Sequence, residues 1–74
     1  MISKGLSSLE KGESGEVLRL NLSAALCRRL YNYGLVKGTR ATCLRKSHTI
    51  SAYEIHGAVV AIRQSDAHNI RIKG

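Results

Sequence analysis

The sequence predicts a mainly β fold, a small and partly open barrel of five strands with one α-helix inserted after the first strand. Three observations support this prediction: short β-rich runs bounded by glycine, one amphipathic run with a helix cap, and a length of only 74 residues. A chain of this length forms one domain, residues 1–74, with one small core. Because Phe and Trp are absent, that core is aliphatic. Barrel closure would also remove the exposed edges of short strands.

Two elements precede the predicted helix. Leu6 and Leu9 stand three positions apart, which predicts a single helical turn that closes one end of the core. Residues 16–22 combine β-forming character with apolar residues at both odd and even positions, as in a strand partly covered on both faces. This run is the predicted first strand.

The predicted helix covers residues 24–33 and begins after Ser23, a residue type that favours the N-cap position. Its apolar residues recur at positions i, i+4 and i+7 and would form one buried stripe, consisting of Leu26, Leu30 and Tyr33. Gly34 is predicted to end the helix in a left-handed Schellman turn. The helix would then leave three polar side chains on its outer face: Arg28, Arg29 and Asn32.

A meander of three strands is predicted to follow the helix, over residues 39–44, 51–56 and 58–63. Gly57, between the second and third of these runs, predicts a tight hairpin. A single turn at residues 65–68 then leads to the last strand, residues 69–72. Five glycines are predicted to have structural roles in this fold: Gly12, Gly15, Gly34, Gly38 and Gly57.

The chain is strongly basic, with twelve Lys and Arg against five Asp and Glu, a net charge of +7 and a sequence pI near 10.0. Such a charge is typical of proteins that bind nucleic acid, an anionic membrane surface or an acidic protein partner. The alternative is that it only keeps the protein soluble. The cations are spread from Lys4 to Lys73, so they form no basic tail. Tyr33 and Tyr53 are assigned to the core, which leaves no platform for stacking bases. No specific nucleic acid is therefore expected.

The apolar runs are short. The longest, residues 58–62, is far below the roughly 20 residues that span a membrane, and the first residues carry no apolar stretch typical of a secretory signal. The sequence therefore predicts a cytoplasmic protein with no direct insertion into a membrane.

The sequence contains no recognised catalytic motif, because a glycine-rich phosphate loop and an HExxH pair are both absent. We therefore predict a protein that is not an enzyme and that requires no cofactor. Glu54 and His56 would share the outer face of one strand, with Cys43 on the strand before. These three residues form a candidate site for weak binding of Fe²⁺ or another transition metal, and the alternative is that they are ordinary strand residues. With no CxxC motif, Cys27 and Cys43 are interpreted as buried or half-buried thiols.

An ordered set of short motifs runs through nearly the whole chain: Leu6 with Leu9, Gly12 with Gly15, Arg28-Arg29-Leu30, Tyr33-Gly34-Leu35, Gly38, Gly57, Ala61-Ile62-Arg63, Ala67 and Ile70-Arg71-Ile72. In this order and at these spacings the chain resembles the FeoA family, the small cytoplasmic proteins of bacterial ferrous iron transport. It departs from the family pattern at Lys11 and Lys37, where the family usually has Pro, and at residues 48–50, where the family has a Gly-Asp-Pro turn. The conformation of the loop at residues 45–51 is therefore left open.

The resemblance implies an SH3-like barrel with an inserted helix, the fold of the C-terminal domain of iron-dependent repressors. It also implies a partner, FeoB, a membrane Fe²⁺ transporter with a cytoplasmic GTP-binding domain on which FeoA-like proteins are thought to dock. The chain would then be a monomeric accessory protein that reaches the inner membrane only through this partner. A second function class stays open, a basic barrel that binds nucleic acid or acts as a metal-responsive regulatory module.

The outer face of the predicted helix is the candidate surface for partner binding. Its three residues are Arg28, Arg29 and Asn32, and the planar fork of an exposed arginine suits a carboxylate on a partner. Two other interpretations remain. The arginines are solvated surface charge, or one of them enters the partner's nucleotide site as an arginine finger.

Overall fold

The computed structural model describes residues 3–73, which form six strands, two helices and a short 3₁₀ turn at Leu6–Ser8. In chain order the strands and helices are β1 (Lys4–Gly5), β2 (Ser14–Leu20), α1 (Ala24–Tyr31), β3 (Arg40–Arg45), β4 (Ile50–Ile55), β5 (Ala58–Arg63), α2 (Gln64–His68) and β6 (Ile70–Lys73). The strands pair antiparallel in the order β1-β6-β2-β3-β4-β5. The predicted mainly β class with a helix inserted after a strand is confirmed. No helix within residues 3–73 has the length and apolar character needed to cross a membrane.

One strand was not predicted. β1 is two residues long, too short to show a period of two, and it pairs with β6 through Lys4 opposite Ile72. The sheet therefore has six strands where the sequence predicts five. The expectation that closure removes the strand edges is wrong for β5, which pairs with β4 on one side and has no strand on the other within residues 3–73.

The helix ends at Tyr31, two residues earlier than predicted. The last turn tightens there, because the Tyr33 N–H donates to the Leu30 carbonyl, three residues back, at 3.0 Å, and the predicted Schellman turn follows at Gly34, whose φ is +88°. The Gly34 N–H donates to the Tyr31 carbonyl at 2.8 Å, and the Leu35 N–H donates to the Leu30 carbonyl at 3.0 Å. Tyr33 therefore leaves the apolar stripe and is 49% exposed, so its assignment to the core was wrong.

The core lies between the inner face of the sheet and three elements packed on it, which contribute Leu6 from the 3₁₀ turn, Leu30 from α1 and Ala67 from α2. Its largest fully buried side chains are apolar apart from one serine: Tyr53, Leu6, Leu9, Leu35, Ile55, Ile70, Ile72, Val17, Cys43 and Ser51. The Tyr53 hydroxyl donates to the carbonyl of Leu6 at 3.4 Å, which ties β4 to the 3₁₀ turn. Both cysteines are free, with Cys27 half-buried and Cys43 buried, as the sequence predicts.

The loop between β3 and β4, left open by the sequence, is fixed by hydrogen bonds to buried Ser51. The Ser51 hydroxyl donates to Oε1 of Gln64 at 2.9 Å and accepts the Ser47 N–H at 3.1 Å. The Gln64 N–H in turn donates to the Thr49 carbonyl at 2.8 Å. The loop is therefore held against the start of α2 without the proline turn of the family pattern.

Candidate docking site

Helix α1 presents the three predicted binding residues. Its N-terminus is capped by Ser23, whose hydroxyl accepts the Leu26 N–H at 3.3 Å. Arg28, Arg29 and Asn32 are all exposed. Both arginines lie in the last turn, where a positive charge interacts favourably with the helix dipole. They thus have a structural role as well as being available to a partner.

A groove of about 540 Å³ lies between α1 and β5. The helix side is lined by Leu26, Arg29 and Tyr33, and the strand side includes Ile50, Val59 and Arg63. Of the six large apolar residues that are exposed within residues 3–73, three line this groove: Tyr33, Ile50 and Val59. Since exposed apolar side chains that cluster mark interaction sites, the groove is the strongest candidate for a binding site.

The groove divides the predicted set of binding residues. Arg29 stands three residues after Leu26 and four before Tyr33, so it belongs to the helix side that borders the groove. Arg28 and Asn32, one helical turn apart, lie outside the groove lining. The sequence finds the helix face but misses the groove, because β5 and α1 meet only in the folded chain.

The three candidate metal ligands do not come together. Cys43 pairs with Tyr53 across β3 and β4 and is 0% exposed, whereas exposed Glu54 stands opposite Thr42. Successive strand residues point to opposite faces, so the Cys43 thiol is in the core and Glu54 is outside. Burial raises the pKa of the Cys43 thiol, which disfavours the thiolate that a metal requires. The prediction that Cys43 neighbours Glu54 on the surface was wrong.

His56 leaves the outer face of β4 because it begins the hairpin turn. His56 has a φ of +52° and Gly57 one of +82°, the backbone of a two-residue type I′ turn. Its ring lies over the end of α1, where a Cβ on Gly34 would be 2.7 Å from His56 Cδ2. Within residues 3–73 no group of three or more His, Cys, Asp or Glu is placed to hold a metal ion.

The predicted structural glycines fall into two kinds. Gly15 has ordinary extended backbone, but a Cβ there would be 2.7 Å from Ile72 Cδ1. The other four have a positive φ: Gly12, Gly34, Gly38 and Gly57.

A second exposed surface is cationic. Arg19 on β2 stands directly opposite Arg71 on β6, and Lys37 lines the same shallow depression of about 320 Å³. Arg71 donates from Nη2 to the Ser3 carbonyl at 3.0 Å, which holds its guanidinium at the surface. Like charges directly opposite each other in a sheet are unfavourable, so this arrangement suits an anionic contact.

The barrel, its charged helix and the adjoining groove define a small SH3-like domain with features of a binding module. The model of the FeoA domain family matches residues 4–74, nearly the whole chain. The chain therefore belongs to the FeoA family. No match is found among curated proteins.

Solved structures share this fold. An iron uptake regulatory protein, FeoA, is 19% identical, with a TM-score of 0.87 and 97% of each chain covered. The FeoA protein from Chlorobium tepidum is 28% identical, with a TM-score of 0.87, over 92% of this chain and 67% of that one. A manganese-dependent transcriptional repressor in complex with manganese is 19% identical, with a TM-score of 0.87, over 99% of this chain but 37% of the repressor. The two similarities at 19% show the fold alone.

Proposed function

We propose that this protein is an accessory factor of ferrous iron transport that docks on the cytoplasmic GTP-binding domain of a FeoB-like membrane transporter. Membership of the FeoA family connects the chain with ferrous iron transport. The exposed arginines of α1 carry the docking proposal, because Arg28 and Arg29 both face solvent and Arg29 lines an exposed apolar groove. The protein acts as a cytoplasmic monomer without catalysis of its own, and it reaches the inner membrane through the transporter.

The chemistry of α1 supports docking on a protein. Arginine and tyrosine are the residue types most enriched where binding energy is concentrated, and α1 and its exit carry Arg28, Arg29, Tyr31 and Tyr33, all exposed. Neither arginine forms an ion pair within the described residues. Their charges are therefore available to carboxylates of a partner, and they would also speed encounter with an acidic surface.

The double variant Arg28→Ala, Arg29→Ala tests this proposal against a matched pair, Arg40→Ala, Arg45→Ala. Both pairs are exposed and both variants remove two positive charges, but Arg40 and Arg45 lie on β3 and not on α1; Arg40→Ala also removes an exposed hydrogen bond, from Arg40 Nη1 to Ser14 Oγ at 3.2 Å. Binding to the purified cytoplasmic domain of the FeoB-like transporter from the same cell is measured by calorimetry. We expect the helix pair to weaken binding roughly fivefold or more and to reduce Fe²⁺ uptake in cells, since one lost charged contact has about this effect.

The control pair should bind within about twofold of the wild type, and higher salt should weaken wild-type binding because exposed charges are screened. Both doubles should keep their stability, since surface changes cost within about 0.5 kcal/mol. Wild-type affinity and uptake in a well-folded helix double would remove α1 from the interface.

A nucleic-acid-binding or metal-responsive regulatory module is the second candidate, favoured by the paired cations Arg19 and Arg71 with Lys37 beside them. Fluorescence anisotropy of labelled DNA and RNA at physiological salt tests the nucleic-acid branch. Binding that is lost in Arg19→Ala, Arg71→Ala but kept in the helix double would favour this candidate over docking. The accessory role instead predicts only weak, salt-sensitive association.

Metal binding by the chain itself is expected to be weak. Glu54 and His56 stay exposed without a third ligand beside them in the described part of the chain. Calorimetry with Fe²⁺ under anaerobic conditions should show only weak binding to a protein that is folded without metal. Tight stoichiometric binding, abolished by Glu54→Gln or His56→Ala, would contradict this expectation.

A further inference from the structure

The outer edge of β5 presents unpaired backbone groups. Ile55 and Ala58 flank the two-residue hairpin turn, so they are the first hydrogen-bonded pair of β4 and β5. Hydrogen-bonded and non-hydrogen-bonded pairs then alternate along an antiparallel ladder. The N–H and C=O groups of Val60 and Ile62 therefore face β4. Those of Val59, Ala61 and Arg63 point away from it.

No strand covers this edge within residues 3–73, because β5 is the last member of the strand order. Nor does the strand itself carry devices that proteins use to protect an edge, such as bulges, prolines and charges near the middle of the strand. The pairing of β4 with β5 runs without a register shift over all six residues of β5. The opposite edge, β1, is protected by being only two residues long. The edge of β5 thus suits pairing with a further strand, and the described residues leave it free.

The groove lies along this same edge. Its floor and strand side include Val59, Ala61 and Arg63, and its far wall is α1 with Leu26 and Tyr33. The first and last of the free N–H groups of β5 are four residues apart, about 14 Å at the rise of a strand. A segment of about five residues would therefore pair with the whole free edge while its side chains contact the apolar wall.

We infer that the groove between α1 and β5 receives an extended segment of the protein partner, which adds to the sheet as a strand beside β5. Alternate residues of this segment are apolar and contact Tyr33 and Val59. Acidic residues near its ends meet Arg29 and Arg63. This inference rests on the docking function proposed above, and it specifies how the partner is recognised.

The positive charge of the groove favours an acidic segment of a partner over a second copy of this chain as the occupant. Among the lining residues two arginines, Arg29 and Arg63, face one carboxylate, Asp66. Pairing β5 with β5 of a second copy would bring four such arginines together between two molecules of charge +7 each. An acidic segment removes this repulsion and gains the same backbone hydrogen bonds.

Amide hydrogen exchange by NMR tests the strand directly, with and without the cytoplasmic domain of the FeoB-like transporter. In the free chain the amides of Val60 and Ile62 should exchange slowly, while those of Val59, Ala61 and Arg63 exchange fast. In the complex the three outer amides should slow by roughly tenfold or more, since each gains a backbone partner.

Two variants change the edge without removing a backbone hydrogen bond between β4 and β5, although Val59 stands opposite Glu54. Ala61→Pro removes one outward N–H, and proline is tolerated at such positions of edge strands. It should weaken binding roughly fivefold to tenfold, because one backbone hydrogen bond to the partner is lost and the adjacent ones are displaced. Val59→Lys removes an apolar contact at a residue that is 67% exposed, and it should weaken binding by a similar factor.

Leu44→Lys is the matched control for Val59→Lys, because Leu44 is also an exposed apolar strand residue but lies outside the groove. It should leave the affinity unchanged. Circular dichroism and thermal melting establish that each variant is folded. If Ala61→Pro does not fold, the affinity of Val59→Lys and the exchange pattern of the wild type still test whether a partner strand pairs with β5.

Four results would overturn the inference in distinguishable ways. Fast outer amides in a complex that still forms, and that still depends on Arg28, would reject the added strand and leave the docking function standing. Outer amides already slow in the free chain, with a concentration-dependent dimer, would identify a second copy as the occupant. Equal affinities of the Val59 and Leu44 variants would remove the groove from the interface. Absence of any complex would reject both the docking function and this inference.

Discussion

The two ends of the sheet differ in how completely they are packed. Around β1, β6 and β2, Leu6, Ile70 and Ile72 are 0% exposed, and a methyl group on Gly5 would lie 2.8 Å from the His68 carbonyl oxygen. At the α1 and β5 end, Val59 and Ile50 are 67% and 50% exposed. Both ends are built from aliphatic residues, so composition does not separate them. Coverage does: the first three side chains face the core, whereas Val59 and Ile50 lie beside the groove on surface that no element within residues 3–73 covers, and this is the surface available for binding.

The largest expected difference in the free energy of unfolding is between variants of one core leucine and one groove valine. Leu6→Ala removes a side chain that is 0% exposed and should lower the free energy of unfolding by about 2–5 kcal/mol. Val59→Ala, at 67% exposed, should change it by less than about 0.5 kcal/mol. Urea titration of both variants measures the difference. Equal losses would show that the groove end is packed as tightly as the other.

A smaller effect is expected at the contact between the exit of α1 and the β4–β5 turn. Gly34 and Gly38 have nearly the same φ, +88° and +91°, and a left-handed conformation costs alanine about 1–2 kcal/mol. Gly38→Ala should show this cost alone, because a Cβ there meets open space, whereas Gly34→Ala also meets the His56 ring. Denaturant titration should therefore rank Gly34→Ala as the more destabilising.

The double variant Gly34→Ala, His56→Gly is the control for that contact, since glycine keeps the turn conformation and removes the ring. Its loss relative to His56→Gly alone should fall to the value found for Gly38→Ala. If Gly34→Ala and Gly38→Ala cost the same from the start, the helix exit does not contact the hairpin turn.

Ser51→Ala should lower the free energy of unfolding by about 1 kcal/mol, because it removes the hydrogen bonds that join the β3–β4 loop to Gln64. Ser65→Ala, at an exposed position of α2, should be nearly neutral. Thermal unfolding compares the two variants. A neutral Ser51→Ala would mean that this loop is not held by the serine.

The smallest expected effect on stability comes from two buried groups, the Cys43 thiol and the Tyr53 hydroxyl. It is absent at neutral pH and arises only at alkaline pH. Burial raises the pKa of the Cys43 thiol above its ordinary 9.0 and that of the Tyr53 hydroxyl above 10.0. Both groups lose their protons in the unfolded chain first, so ionisation favours unfolding. Stability should be constant below pH 9.0 as far as these groups act, and it should fall as the pH rises further. Cys43→Ala should flatten the first part of this fall in urea midpoints measured against pH, whereas an unchanged slope would contradict the assignment.

Local sequence signals predicted the elements that depend on local chemistry. Ser23 caps α1, Gly34 forms the Schellman turn, and Gly57 completes the β4–β5 hairpin. The wrong predictions concern which face of a helix or strand a residue occupies. Tyr33 continues the helical spacing of Leu26 and Leu30 beyond the end of the helix, so its period indicates burial that the backbone does not allow.

Cys43 was placed on the wrong face for a related reason. The run at residues 39–44 has its one large aliphatic residue, Leu44, on the exposed face and small or polar residues at both parities, so its alternation does not indicate which parity faces inward. A register shift between Cys43 and Arg45 further breaks the period. The groove and the free edge of β5 carry no local signal, because they depend on how α1 lies against a strand about thirty residues later in the chain.

We expect the α1 and β5 end to bind the partner while the β1, β6 and β2 end holds the fold together. Mapping of ¹⁵N chemical shifts during titration with the cytoplasmic domain of the FeoB-like transporter distinguishes the two ends. We expect the changed signals to cluster in Ala24–Tyr31 and Ala58–Arg63, with Ile70–Lys73 unaffected. Changes centred on Arg19 and Arg71, with α1 and β5 silent, would contradict the claim.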